Sequence, residues 1–121
     1  MVDPDTRIKT GFIPIRMVSG QREPVALHVE VTNKSNEPRG YSISVKVPSK
    51  FGFDRACLMG EKRVRVGLVN PNETKTAIFN IYGKFNVPPG LYDLDVVVRA
   101  HAERFDKVIA QDQVVATLRV V

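Results

Sequence analysis

Cysteine occurs once in the 121 residues, at position 57, and histidine twice, at 28 and 101. A single cysteine excludes an intrachain disulfide. With so few histidines it also leaves no Cys/His cluster of the kind that holds zinc. Cys57 lies between Ala56 and Leu58 with no histidine nearby, so it reads as a small buried hydrophobe rather than a reactive thiol. His28 and His101 are far apart in the chain and no G-x-S-x-G is present, which argues against a hydrolytic triad. The phosphate-binding patterns G-x-x-x-x-G-K-[ST] and G-x-G-x-x-G are absent too. No apolar run approaches the roughly 18 residues of a membrane-crossing helix. Met1 to Asp5 are polar and acidic, without the basic and apolar stretches of a secretory leader. The expected location is the cytoplasm if Met1 is the native start, and the cell surface if the chain is a module excised from a longer protein. No catalytic residue, metal or cofactor is expected.

What the chain does have is alternation with a period of two, the mark of half-buried strands. Val25, Leu27, Val29 and Val31 alternate with Ala26, His28, Glu30 and Thr32. Tyr41, Ile43, Val45 and Val47 form a second set, and Val64, Val66 and Leu68 a third. Ala77, Phe79 and Ile81 make a fourth, then Tyr92, Leu94, Val96 and Val98, and finally Val114, Ala116, Leu118 and Val120. Ile8 to Met17 is less regular. Its parity switches beside Gly11 and Pro14 removes a ladder donor, which predicts an edge strand with a bulge or a break. Asn70-Pro71-Asn72-Glu73 reads as a turn in which Asn72 tolerates a left-handed backbone. Ala102 to Ala110 is either a short helix, with Phe105, Val108 and Ile109 at helical spacing, or a loop or strand extension. About seven strands and no internal repeat give one all-β domain over 1–121, folded as an antiparallel two-sheet sandwich. The expected interior is Val29, Val31, Ile43, Val45, Val66, Leu68, Phe79, Ile81, Tyr92, Leu94, Val96 and Leu118.

Tyr92 follows Pro88-Pro89-Gly90-Leu91 and opens an alternating strand, the position of a tyrosine corner. Together with Val29-Glu30-Val31-Thr32-Asn33-Lys34-Ser35, Val45-Lys46-Val47-Pro48 and Leu68 to Ile81, this pattern resembles bacterial and archaeal immunoglobulin-like modules. The nearest are the cell-adhesion-related (CARDB) and NPCBM-associated sandwich domains. Asn72 stands where those modules usually have Gly. The resemblance spans about residues 24–100 and implies an immunoglobulin-like fold.

The net charge is +5, and it is unevenly placed. Residues 41–80 hold seven Lys/Arg against three Asp/Glu, whereas 1–40 hold six against five and 81–121 five against five. The excess is centred on Lys46, Lys50, Arg55, Lys62, Arg63 and Arg65, interleaved with Phe51, Phe53, Leu58 and Met59. The span Pro48 to Lys62 is also long for a connection in a compact sandwich, and such loops tend to be functional. Lys50, Phe51, Phe53, Arg55, Lys62, Arg63 and Arg65 are therefore the candidate binding residues. They suit a protein or other macromolecule with an anionic surface, and in the alternative a nucleic acid or ribonucleoprotein. Val97, Val115 and Val121 share the outward parity of the last two strands and suggest weak homodimerisation or partner docking. Asp93 and Asp95 share one strand face but lack the further oxygen ligands of a cation site. Two glycosylation sequons, at Asn33 and Asn72, fall in predicted turns where they would be accessible.

Overall fold

The computed structural model describes residues 4–102 and 107–121. Nine strands follow one another in these residues: β1 (Thr6–Ile13), β2 (Arg16–Met17), β3 (Val25–Asn33), β4 (Arg39–Lys46), β5 (Phe51–Gly52), β6 (Glu61–Val69), β7 (Thr74–Gly83), β8 (Gly90–His101) and β9 (Val108–Val120). β2 and β5 are two residues each, so seven strands carry the fold. One sheet has the order β1-β3-β7-β5 and the other β2-β9-β8-β4-β6. The pairings are antiparallel except β2 with β9. The chain is an all-β, immunoglobulin-like sandwich.

The alternating valines and leucines predict the core correctly wherever the strand is regular. Val29, Val31, Ile43, Val45, Phe79, Ile81, Leu94, Val96 and Leu118 are all fully buried between the sheets. Burying one such side chain contributes roughly 1.5–3 kcal/mol, so these nine outweigh any surface interaction in holding the fold. Val66 and Tyr92 are only half-buried, and Leu68 is 39% exposed while Val69 is buried instead. For Val66 and Leu68 the cause is a bulge in β6. Tyr41 faces Gly67 and Ser42 faces Arg65, so Val66 has no partner of its own on β4. Gly67 sits at φ 102°, and the inserted residue reverses the facing of those that follow.

The N-terminal segment breaks as expected, but not at Gly11. Gly11 pairs with His28 in unbroken register, and the break comes at Pro14 and Ile15. There the chain leaves the β1 edge of one sheet and joins the β2 edge of the other. Val108 to Ala110 belong to β9, so they are strand and not helix, while Glu103 to Asp106 lie outside the described residues. Tyr92 forms the corner, its hydroxyl donating to the Pro88 carbonyl at 2.6 Å. Phe51 packs edge-on against its ring at a centroid distance of 5.0 Å.

Candidate functional site

The loops gather at two ends of the sandwich, and the ends are built differently. One end holds residues 34–38 and 70–73. It is organised by Asn33, which is fully buried at the end of β3. The Asn33 amide donates to the carbonyls of Glu37 and Val69 at 2.8 and 2.9 Å. Its side-chain oxygen accepts from Ser35 N–H and from the Ser35 hydroxyl. Its backbone carbonyl accepts from Asn72, whose φ of 63° is the left-handed turn position expected from sequence. The Val-Thr-Asn-Lys-Ser run is thus a structural clamp. Asn33 is closed to glycosylation in the folded chain, contrary to the accessibility expected from its turn. His101 at the same end is buried against Ser42, with Nε2 and the hydroxyl 2.7 Å apart. Burial, and then the charges of Arg63, Arg65 and Arg99, hold its pKa below the ordinary value of 6.5.

The other end holds residues 18–24, 47–60 and 84–89, and here side chains point out. The long connection after β4 is ordered. Val47 N–H donates to Gly60, Phe53 N–H to Met59, and Cys57 N–H to Asp54. Gly52 allows its fold, because a Cβ there would lie 2.4 Å from Cys57 Cα. The Ser19 hydroxyl donates to the Val87 carbonyl at 2.6 Å and joins the other two loops. Between the three lies an open trough of about 400 Å³. Its floor is Tyr82 to Phe85, and its walls are Gly20 to Arg22 and Arg55 to Cys57. Arg22, Arg55 and Lys84 reach it from three separate loops, and no carboxylate lines it among the described residues. None of the three enters a hydrogen bond through its side chain or an ion pair among the described residues. Phe85 on the floor is 78% exposed, and Leu58 and Met59 beside the wall are 83% and 50% exposed.

The seven sequence candidates divide among different places. Phe51 and Phe53 are core residues, 1% and 9% exposed, and Phe53 packs against Phe79. Phe51 lies in β5 and Phe53 follows it directly with its ring on the same inner side, so neither presents a ring to a partner. Lys50 and Arg55 belong to the open end, and Arg55 lines the trough. Arg63 and Arg65 face outward from the five-stranded sheet, opposite Ser44 and Ser42 and near Arg99. Lys62, opposite Val45, is exposed on the β6 edge. Arg22, Lys84 and Phe85 were not among the candidates. They lie in short turns with no periodic signal, and only the fold assembles them.

Cys57 behaves as a structural residue. It is buried, its thiol donates to the Tyr82 carbonyl at 3.5 Å, and burial and then Asp54 push its pKa up against the pull of Lys84. Val115 and Val121 are exposed and Val97 is half-buried on the outer face of the five-stranded sheet. Among the described residues, no three His, Cys, Asp or Glu side chains gather as a metal site would require. Among the described residues no helix is long and apolar enough to cross a membrane.

No protein-family profile matches the chain, and no curated protein matches it. Solved structures do. A segment of trypsin-activated α-2-macroglobulin from Escherichia coli is similar with a TM-score of 0.68 at 14% identity. The match covers 98% of this chain and 7% of that one. Self-complemented MyfA, the major subunit of Myf fimbriae from Yersinia enterocolitica, is similar with a TM-score of 0.57 at 16% identity, covering 94% of this chain and 98% of the subunit. AvmM, described as catalysing macrocyclization in alchivemycin A biosynthesis, has a TM-score of 0.61 at 10% identity and covers 98% of this chain and 89% of its own. Such low identities carry the fold and not the task, since one sandwich architecture serves a fimbrial subunit, a segment of a much larger protein and a catalyst. The shared conclusion is architectural: this chain has the immunoglobulin-like sandwich found in bacterial pilin and macroglobulin domains.

Proposed function

We propose that the chain is a non-catalytic immunoglobulin-like interaction module, a single domain that engages a macromolecular partner through its open loop end. One observation carries this reading. Arg22, Arg55 and Lys84, without ion-pair partners among the described residues, stand beside exposed Leu58, Met59 and Phe85 on ordered loops. At the opposite end the clamp residue turns its polar groups inward. Charge and apolar contact area on a rigid scaffold are what recognition loops offer. The CARDB-like and NPCBM-like sequence pattern fits a module of a larger assembly, as do the similarities to a fimbrial subunit and a macroglobulin segment.

The test is cross-linking and affinity capture from the source cell with two sets of variants. Arg22→Glu, Arg55→Glu and Lys84→Glu together should abolish capture of the partner. Lys34→Glu with Glu37→Lys, at the clamped end, should leave capture intact. Capture that survives the first set removes the loop end as the site. A nucleic-acid reading draws on Arg63, Arg65 and Arg99, which gather on one outer face. Glu61, Lys46 and Asp95 form the neighbouring row on that face, so the positive charge does not continue into a track for a phosphate backbone.

A further inference from the structure

Gly83, in the floor of the trough, shows what kind of ligand the open end suits. Lys84 N–H donates to the Lys50 carbonyl at 2.9 Å, on the β5 side. Backbone polar groups alternate sides along a strand, so the N–H and C=O of Gly83 point the other way, toward β3. There the ladder has already ended. Ile81 faces Val25, and the residues before Val25 are not strand. The Glu23 carbonyl, one candidate partner, accepts from the Gln21 side-chain amide at 2.8 Å. Gly83 is paired only with Phe51 in the sheet, and outside the ladders no backbone hydrogen bond among the described residues reaches it. Its inner side is fixed, since a Cβ there would lie 3.0 Å from Met17 Sδ. The trough therefore presents one main-chain donor and one main-chain acceptor on a strand held in place, ringed by three cations and edged by Phe85.

We infer that the trough binds an extended peptide segment carrying carboxylates. The ligand's main chain pairs with Gly83, and its acidic side chains meet Arg22, Arg55 and Lys84. This rests on the reading of the loop end as the recognition surface and names the chemistry of its ligand. The donor–acceptor pair favours a peptide over a nucleic acid. A phosphodiester backbone offers acceptors and no donor, so it would leave the Gly83 carbonyl unmatched. Strand addition supplies affinity from main-chain bonds and leaves specificity to side chains. Guanidinium and ammonium groups around the trough would then select carboxylates.

The probe is a labelled decapeptide of alternating Glu and Val, read by fluorescence anisotropy and by amide shifts in NMR spectra of the full chain. Its comparators are the Gln-for-Glu peptide, a main-chain N-methylated Glu peptide and a decathymidine strand. The Glu peptide should move the Gly83 amide resonance. Binding should weaken by about ten-fold or more with Gln, with N-methylation, and with the pair Arg22→Gln and Arg55→Gln. Both arginines are at the surface, so an unchanged melting temperature confirms that the fold is intact. Tighter binding of decathymidine than of the Glu peptide overturns the inference, in favour of a nucleic acid. Binding that is unchanged by the arginine pair, or shifts confined to the face of Arg63 and Arg99, also overturns it. If the peptide does not bind but charge reversal at this end still abolishes capture of the natural partner, the peptide inference falls and the loop-end reading stands. If capture also survives charge reversal, both fall.

Discussion

At its clamped end the sandwich spends a buried asparagine, a serine and a histidine on holding two turns and two strands together. At its open end it leaves Arg22, Arg55, Lys84, Leu58, Met59 and Phe85 facing water. Both ends close the same two sheets, so folding alone does not require the difference. Asn33 shows how an end is closed cheaply: one side chain satisfies two carbonyls and two donors that would otherwise compete for water. The open end has its own internal order in the 47–60 connection, held by backbone pairs and by the side chains of Asp54 and Cys57. That leaves the side chains of Arg22, Arg55, Lys84, Leu58, Met59 and Phe85 out of the bracing, which is the arrangement a binding surface needs and a structural cap does not.

The largest effect that would sharpen this contrast is expected at Asn33. Asn33→Ala removes four side-chain hydrogen bonds and strands the Val69 carbonyl in a buried place. Leaving buried partners unsatisfied costs about 3 kcal/mol here, given roughly 1–3 for each such group and some rescue by water. Urea denaturation should report it as a lower midpoint with an unchanged slope. A loss under about 1 kcal/mol would mean the clamp is not what holds that end.

Acid should act on the same end, less strongly. His101 is held below its ordinary pKa of 6.5 by burial and by three arginines. The unfolded chain therefore takes up the proton first as pH falls through about 6.5. Stability from this group is intact above that pH and declines below it, until the folded histidine is itself protonated. The melting temperature should begin to fall between about pH 6.5 and 5.5, before most carboxylates titrate. His101→Gln should flatten that interval. A wild-type melting temperature that rises on acidification there would contradict the sign.

The clamped end was closer to legible in sequence than the open one. The Val-Thr-Asn-Lys-Ser run and the Asn-Pro-Asn-Glu turn are local signals, and both fell where they were expected. The core was legible for the same reason, because strand parity is a local property: Val29, Val31, Leu94 and Val96 follow it without exception. Parity fails where one inserted residue resets it, as the unpaired Val66 beside Gly67 does to Leu68. The trough has no local signature at all. Arg22, Arg55 and Lys84 come from three connections, and only sheet pairing brings them together. Phe51 and Phe53 misled for a related reason. Without alternation around them they read as loop aromatics, whereas the two-residue strand at Phe51 and the bend at Phe53 turn both rings into the core.

The smallest expected effect is the most direct test of the comparison. Leu58, Met59 and Phe85 are 83%, 50% and 78% exposed, so folding gains little from them. Replacing all three with Ser removes apolar surface that is already in water. The change in unfolding free energy should stay within about 0.5 kcal/mol, the ordinary range for surface substitutions away from special features. Capture of the partner should nonetheless fall, because interface affinity depends on a few large side chains that become desolvated only on binding. Stability and binding are thus expected to separate at this end, while at Asn33 they cannot. Differential scanning calorimetry and quantitative capture on the same triple variant measure both quantities. A destabilisation of several kcal/mol would show that these side chains brace the loops as Asn33 braces the other end. Unchanged stability with unchanged capture would leave the cations of the trough as the only recognition elements there.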